Sequence, residues 1–360
     1  MQEKVIPLGE SIDKFFLEAE INTHIIAQSK LPTIPVWQSD PIDVSFKLSV
    51  HDKSVTNPAL FRTEFLSTIL PEYDGYIRVY TDGSKRDEKA SIGVWYTAGK
   101  NQSPFSGMIS RRLADDSSIF TAEIAAIFRT MLLIKDTRHH YKKFVIFCDS
   151  KSVLECLETQ ESKNPHMIRL LDSIQWLKRK GFVIKFCWIP SHVGIQGNEI
   201  ADLLAKGALN DPPPMHLKVP YTDFIPKVKT YVRNLWKQRW TNNHNNRRTG
   251  NKLFRFNPEL KPFHINGLCR KDEVVIHRIR IGHTRLTHRY LMEDPLKRFP
   301  PCNYCYEFDL TVEHLMVECQ HFQRIRSKYH DARNMGDLFE RFSLRHIIAF
   351  LKETGLYHLI

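Results

Sequence analysis

The sequence predicts an α/β domain over residues 75–210, a mixed sheet covered by helices, followed by a basic and mainly helical region. Two observations carry this reading. Up to residue 210, short β-branched and aromatic runs alternate with segments of helical period; beyond it, positive charge accumulates. Residues 76–81, 91–96, 144–148 and 183–188 are the strand-like runs, and a fifth, weaker strand is expected over 104–110. Ser117 or Ser118 can cap a helix running to about residue 134. Met167, Leu170, Leu171, Ile174 and Leu177 recur at helical spacing. Their helix closes on Lys178-Arg179-Lys180 at the negative end of its dipole, with Gly181 as the stop. Three strands in succession, then helix, strand, helix, strand and helix, give a single layered sheet.

With 360 residues, 42% hydrophobic and 26% charged, the chain can bury two or three cores. No apolar run approaches the ~20 residues of a membrane-spanning helix, so no membrane partner is expected. Met1-Gln2-Glu3-Lys4 does not open a secretory leader. An intracellular chain is therefore expected, with nucleus and cytoplasm not distinguished. Residues 1–208 carry 26 Lys+Arg against 25 Asp+Glu, whereas residues 209–360 carry 26 against 15. A polyanion-binding C-terminal half follows from that asymmetry. Asp211-Pro212-Pro213-Pro214 and Pro220 mark a linker at 211–221, because prolines neither continue a helix nor donate to a ladder. Residues 1–74, interrupted at Ile6-Pro7, Leu31-Pro32 and Ile34-Pro35, read as a connector segment.

Four acids fall where chemistry is expected. Asp82 follows the first strand and Asp149 the fourth, and the carboxyl ends of adjacent parallel strands form the crevice in which ligands sit. Glu123 lies in the apolar helix stretch Thr121-Ala122-Glu123-Ile124-Ala125-Ala126-Ile127, where a buried acid requires a partner or a cation. Asp202 lies one turn after Asn198, which can cap the last helix. Singly, such residues are usually turn, cap or surface acids. Together at a sheet mouth they repel one another unless a hard divalent cation compensates. Mg²⁺ suits the set. Two such ions about 4 Å apart support in-line phosphodiester hydrolysis.

Tyr80-Thr81-Asp82-Gly83-Ser84, Thr121-Ala122-Glu123, Phe147-Cys148-Asp149-Ser150 and the block from Ile189 to Asp202 resemble, in order, the motifs of type 1 ribonuclease H. The variant is similar to that in jockey-like non-LTR retrotransposon polyproteins, and the likeness covers roughly 75–210. It implies a five-stranded mixed sheet and endonucleolytic cleavage of the RNA strand of RNA–DNA hybrids with Mg²⁺, or Mn²⁺ in its place. Asp82 would bridge two metals, Glu123 and Asp149 would each complete one coordination sphere, and Asp202 would be a weaker fourth ligand. His192 resembles the family's mobile histidine, suited to proton transfer because imidazoles titrate near neutral pH. Gly83 and Ser84 would approach the RNA 2′-hydroxyl, and Asn198 the minor groove. No Tyr-x-Asp-Asp or Ala-Asp-Asp polymerase motif precedes the nuclease, so residues 1–74 are expected to be left from an upstream polymerase, with a reverse transcriptase in trans as a candidate partner. The extra basic helix of some members is missing, since only residues 159–164 separate two helices there. A decayed or domesticated binding protein that keeps the fold is the alternative, and a DNA-cutting integrase or transposase relative is a further one; the Ser191-to-Asp202 block is of ribonuclease H type.

Residues 222–360 form the basic helical region. Phe224, Val228, Val232, Leu235 and Trp236 share a helical stripe beside Lys227, Lys229, Arg233, Lys237 and Arg239. Arg247, Arg248, Lys252 and Arg255, interleaved with Phe254 and Phe256, continue it. Such side chains neutralise phosphates and stack on bases, although a solvated basic face explains the same pattern. A second basic stretch runs from Arg278 to Arg289 and is similar to a segment that follows the nuclease in the same retroelements. Cys302, Cys305, His314 and Cys319 give C-x2-C-x8-H-x4-C over 302–319, the donor set of a structural Zn²⁺ knuckle, with His321 as a substitute ligand. Cys148, Cys156 and Cys187 are expected in the core, and Cys269 has no assigned place.

Overall fold

A computed structural model describes residues 8–28, 31–98, 105–137, 141–212, 218–245, 253–254, 257, 259, 261, 263–289, 291 and 299–360. It divides into two compact units, Met1–Lys229 and Thr230–Ile360. No described helix is long and apolar enough to cross a membrane.

The first unit holds a six-stranded sheet. Its strands are β2 (Asp43–Ser45), β3 (Ile77–Arg86), β4 (Lys89–Thr97), β5 (Ser106–Arg112), β6 (Lys143–Cys148) and β7 (Val183–Trp188), and the two residues of β1 (Ile26–Ala27) lie outside it. The order is β2-β7-β6-β3-β4-β5, parallel from β2 to β3 and antiparallel for β4 and β5. Five of these strands match the expected runs. The sixth, β2, comes from the segment expected as a connector, and at three residues it is too short for its period to be read.

Helices cover both faces of the sheet. Ser118 caps α3 (Ile119–Asp136), its hydroxyl accepting from Thr121 N at 3.1 Å. After β6 come α4 (Lys151–Thr159) and α5 (Pro165–Arg179), the latter capped by Asn164 and stopped at Gly181 in the left-handed region. The stripe Met167, Leu170, Ile174 and Leu177 is buried with Ile127, Met131 and Ile146. α6 (Gln196–Ala208) packs on β4 and β5, fixed by Ser91 Oγ to Ala205 O at 2.5 Å and Ser110 Oγ to Leu204 O at 2.8 Å.

Residues 31–73 are bound into this unit rather than strung beside it. Thr33 donates N–H and hydroxyl to Asp172 at 3.0 and 2.8 Å, and Gln175 Nε2 donates to Asp40 O at 2.8 Å. Asn57 caps α2 (Pro58–Glu64), which buries Phe61 and, just beyond it, Phe65. Both join Ile69, Tyr73, Tyr80, Phe147, Val193 and Ile195 in a second core under the sheet. A loose connector has no such aromatic anchors.

The C-terminal side of the unit also extends further than the expected edge at residue 210. β8 (Val219–Pro220) pairs with β1, and α7 (Tyr221–Asn245) starts with Asp223 accepting from Ser118 N at 2.7 Å and Lys227 3.5 Å from Asp116. Those bonds carry the boundary past the proline run. Pro213 and Pro214, and Arg247, Arg248, Lys252, Arg255 and Phe256 of the basic stretch, lie outside the described residues.

The second unit is helical, as expected. Helices Arg270–Ile281, Gln323–Tyr329, Met335–Arg341 and Leu344–Glu353 contribute to one core containing Ile276, Ile279, Leu315, Met316, Phe322, Phe350 and Leu351. Cys302 and Cys319 belong to the same cluster, so the cysteine segment is built into a domain core and is not a free-standing knuckle.

Phe61→Ala tests the integration of residues 31–73. Removing a fully buried phenyl ring is expected to destabilise the first unit by about 3–5 kcal/mol in denaturant unfolding of the full chain; a detached connector would lose no more than about 0.5 kcal/mol.

Candidate active site

Sheet register creates the acidic cluster. β3 and β6 pair in parallel as far as Thr81 and Cys148, so Asp149 follows the end of β6 beside Asp82, which lies within β3 rather than after it because that strand runs on to Arg86 against β4. Glu123 arrives from the first turns of α3 and Asp202 from the middle of α6. All four acids line one cleft with Gly83, Ser84, Ser150, Ser191, His192 and Lys206. The sequence-predicted acids thus converge from four elements.

Two glycines bring the helices close enough. A Cβ on Gly83 would lie 2.8 Å from Glu123 N, and one on Gly93, which faces Asp82 across β3 and β4, would overlap the Ala201 carbonyl and stand 2.6 Å from Ala205 N. Gly83, expected at the RNA, is therefore buried under α3 as the residue that lets Glu123 approach.

The cluster is costly to charge. Burial, then the neighbouring Asp149 and Asp202, push Asp82 up to about 8. Burial also drives Glu123 well above the ordinary carboxyl range, with Asp149 and Asp82 adding to it. Asp149 is raised by burial, against the pull of Asn198 and the charges of His192 and Lys53. Asp202 differs in having a cation, Lys206 Nζ at 2.7 Å, one helical turn away. That ion pair raises Lys206.

Neighbouring groups fix the acids. Asn198 was expected as a cap, but α6 is capped at Ile195, which leaves Asn198 inside the first turn and 1% exposed. From there Nδ2 donates to Asp149 Oδ2 at 3.3 Å, while Trp188 Nε1 donates to Asp149 O at 3.1 Å. The Cys148 thiol lies 3.9 Å from Glu123 Oε2, giving that buried cysteine a polar neighbour inside the core.

His192 is the exposed histidine of the cleft lining. Its side chain is 61% exposed, its backbone is left-handed at φ 56°, and Gly194 follows at φ 80°. Glu199, passed over in the sequence, holds this loop: Oε1 accepts from Gly194 N at 3.3 Å, and Oε2 stands 4.0 Å from His192 Nδ1. Ligand atoms of His192, Glu199 and Asp202 come within 4.8 Å of one another. The signal for Glu199 was its place three residues before Asp202, on nearly the same helix face.

In the second unit Cys302, Cys305, His314 and Cys319 offer donor atoms within 4.8 Å of one another. Cys302 and Cys319 sulfurs are 4.0 Å apart, and Cys305 Sγ is 3.3 Å from His314 Nε2. The tight turn after Cys302 is closed by Tyr306 N to Cys302 O at 2.9 Å, with Tyr306 left-handed at φ 63°. Thr311 Oγ1 accepts from His314 N at 3.0 Å and begins the turn that carries the imidazole. Arg326 donates to the carbonyls of Val317 and Cys319, and Glu318 lies 3.5 Å from His314 Nδ1, so Nε2 is the nitrogen facing the thiols. His321 stands instead beside the Tyr304 ring, outside the cluster. Cys187 is buried, Cys156 half-buried, and Cys269 is exposed at the start of helix Arg270–Ile281.

Part of the chain is similar to known proteins. The chain is 28% identical over 134 residues to the Pol polyprotein of equine infectious anemia virus strain Wyoming, and 27% identical to that of isolate 1369. Each match takes in 36% of this chain and 10% of the polyprotein, so the chain spans about a tenth of the length of these relatives. Among solved structures, RNase H1 from the archaeon Halobacterium salinarum is 22% identical with a TM-score of 0.32, over 38% of this chain and 100% of that one. LC11-RNase H1 in complex with an RNA/DNA hybrid is 21% identical with a TM-score of 0.31, over 37% and 99%. The RNase H family model matches residues 74–210, the stretch that supplies all four acids and five of the six strands. Residues 74–210 are an RNase H domain.

Proposed function

We propose that the protein is a ribonuclease H that hydrolyses the RNA strand of RNA–DNA hybrids and comes from a retroelement of the jockey-like kind. The convergence of Asp82, Glu123, Asp149 and Asp202 from four elements into one cleft carries the reading. Asp82, Glu123 and Asp149 are all raised by burial, the first two also by neighbouring carboxylates, and oxygen donors so placed fit hard divalent cations. Asp82, Glu123 and Asp149, with Asp202 as the looser fourth, would hold Mg²⁺ or Mn²⁺. Bound there, such ions activate water and stabilise the leaving oxygen.

The remaining side chains have separate tasks. Asn198 and Trp188 hold Asp149 in register, from its carboxylate and its carbonyl respectively. Lys206 pairs with Asp202 at the cleft lining. His192, exposed on a loop restrained by Glu199, takes up or delivers a proton at the cleft edge. Ser84, half-buried at the cleft lining, is the hydroxyl available to a ribose. In the second unit, Cys302, Cys305, His314 and Cys319 supply three sulfurs and one nitrogen to a structural Zn²⁺. Ideal tetrahedral bonds of about 2.3 Å imply sulfur separations of roughly 3.8 Å, close to the observed 4.0 Å. That unit would add nucleic-acid affinity through its basic charge.

Full-length protein with Mg²⁺ is expected to cut only the RNA strand of a labelled hybrid, and Asp82→Asn to abolish cutting while hybrid binding survives. Equal cleavage by variant and parent would overturn the mechanism, and a folded parent that binds without cutting would favour a domesticated binding protein. A second expectation concerns pH in EDTA. Between the ordinary carboxyl value near ~3.9 and about 8, folded Asp82 keeps a proton that the unfolded chain has released, so this group makes stability fall as pH rises through the window. Asp82→Asn should therefore melt higher than the parent near neutral pH and equal to it near pH 4. For the second unit, elemental analysis should find one zinc per chain; Cys302→Ser should lose it and lower that unit's melting temperature.

A further inference from the structure

Lys53 stands at the edge of the acidic cleft and Arg62 beside the loop that follows His192, although both precede the RNase H domain. Asp52 shapes the turn that presents Lys53: its Oδ1 accepts from the N–H and hydroxyl of Ser54 at 2.8 and 2.7 Å, and its carbonyl accepts from Thr56 N at 3.0 Å. Lys53 Nζ then donates to Ser191 Oγ at 2.6 Å, and Ser191 lines the cleft next to His192. The Arg62 side chain passes Gly194, its Cδ 3.6 Å from where a Cβ there would sit. Beneath them, buried Phe61 and Phe65 pack with Val193 and Ile195, so α2 is the floor of the histidine loop.

The cleft has need of such cations. Four acids repel a polyanion, and the two lysines that line the cleft are engaged, Lys206 with Asp202 and Lys85 with Ser117 O at 2.9 Å. Between α4 and α5 only residues 160–164 intervene, too few for an additional basic helix. Lys53 and Arg62 are both exposed, the first bonded to Ser191 and the second against Gly194, two residues after His192.

We propose that Lys53 and Arg62 each bind a backbone phosphate of the nucleic-acid substrate beside the His192 loop, making residues 46–73 a working part of the nuclease. The inference rests on the ribonuclease H reading and assigns its substrate a second foothold outside that domain.

Hybrid binding by the full chain, measured across a salt series in the Asp82→Asn background, tests it. Replacing both residues with alanine should reduce the slope of log affinity against log salt by about 1.4–1.8, the loss of two phosphate contacts. In the active background KM should rise with kcat kept, because the contact is made before and during the reaction alike. Lys53→Arg with Arg62→Lys keeps both charges and should restore the slope, which a purely structural role for Lys53 would not do. Arg62→Gln alone leaves the Lys53–Ser191 bond in place and guards against misfolding of the double variant. An unchanged slope in either neutralised variant overturns the proposal while leaving hybrid cleavage by the parent intact. A parent that neither binds nor cuts hybrids overturns the function and this inference together.

Discussion

At Gly83 and Gly93 the backbones of α3 and α6 lie against β3 and β4 at distances that leave no room for a methyl group. Glu123 and Asp202 ride on those helices, and Asp82 sits between the two contacts, one residue before Gly83 and opposite Gly93. The depth of the cleft and the spacing of its acids both follow from this pair of approaches. A larger residue at either place would lift a helix from the sheet and open the cluster, because packed interiors do not deform smoothly.

Drawing carboxylates together in a partly desolvated cleft stores electrostatic repulsion that the metal-free protein relieves by keeping protons. The chain limits that repulsion unevenly. Asp202 has Lys206, Asp149 has the Asn198 amide and the distant charges of His192 and Lys53, Asp82 feels Lys206, and Glu123 has the Gly83 N–H and the Cys148 thiol.

The residues before the RNase H domain are structural from Thr33 onward. Their aromatic side chains support the loop that carries His192, and their polar side chains tie to α5. Stability of the first unit and the placement of its histidine are thus linked through α2. In the second unit a comparable economy applies: Cys302 and Cys319 are core residues as well as members of the four-residue donor cluster.

The sequence by itself determined the five longer strands, the helices α3 and α5 nearly to the residue, the four acids and the cysteine spacing. Each of these is written in local period, in a cap or stop, or in a short contiguous motif, all of which survive without tertiary context. It did not disclose β2, which is three residues long, or the role of residues 31–73, whose Phe61 and Phe65 have no pattern apart from the surface they meet. Asn198 reads locally as a cap and is a support for Asp149 only because α6 starts two residues earlier and brings its amide to the carboxylate that follows β6. The proline run looks like a domain edge, yet Asp223 and Lys227 bind back to α3 and its preceding loop. Only the tertiary structure decided these, because each depends on which distant surface a short segment meets, and that is set by packing between elements rather than by the residues of the segment.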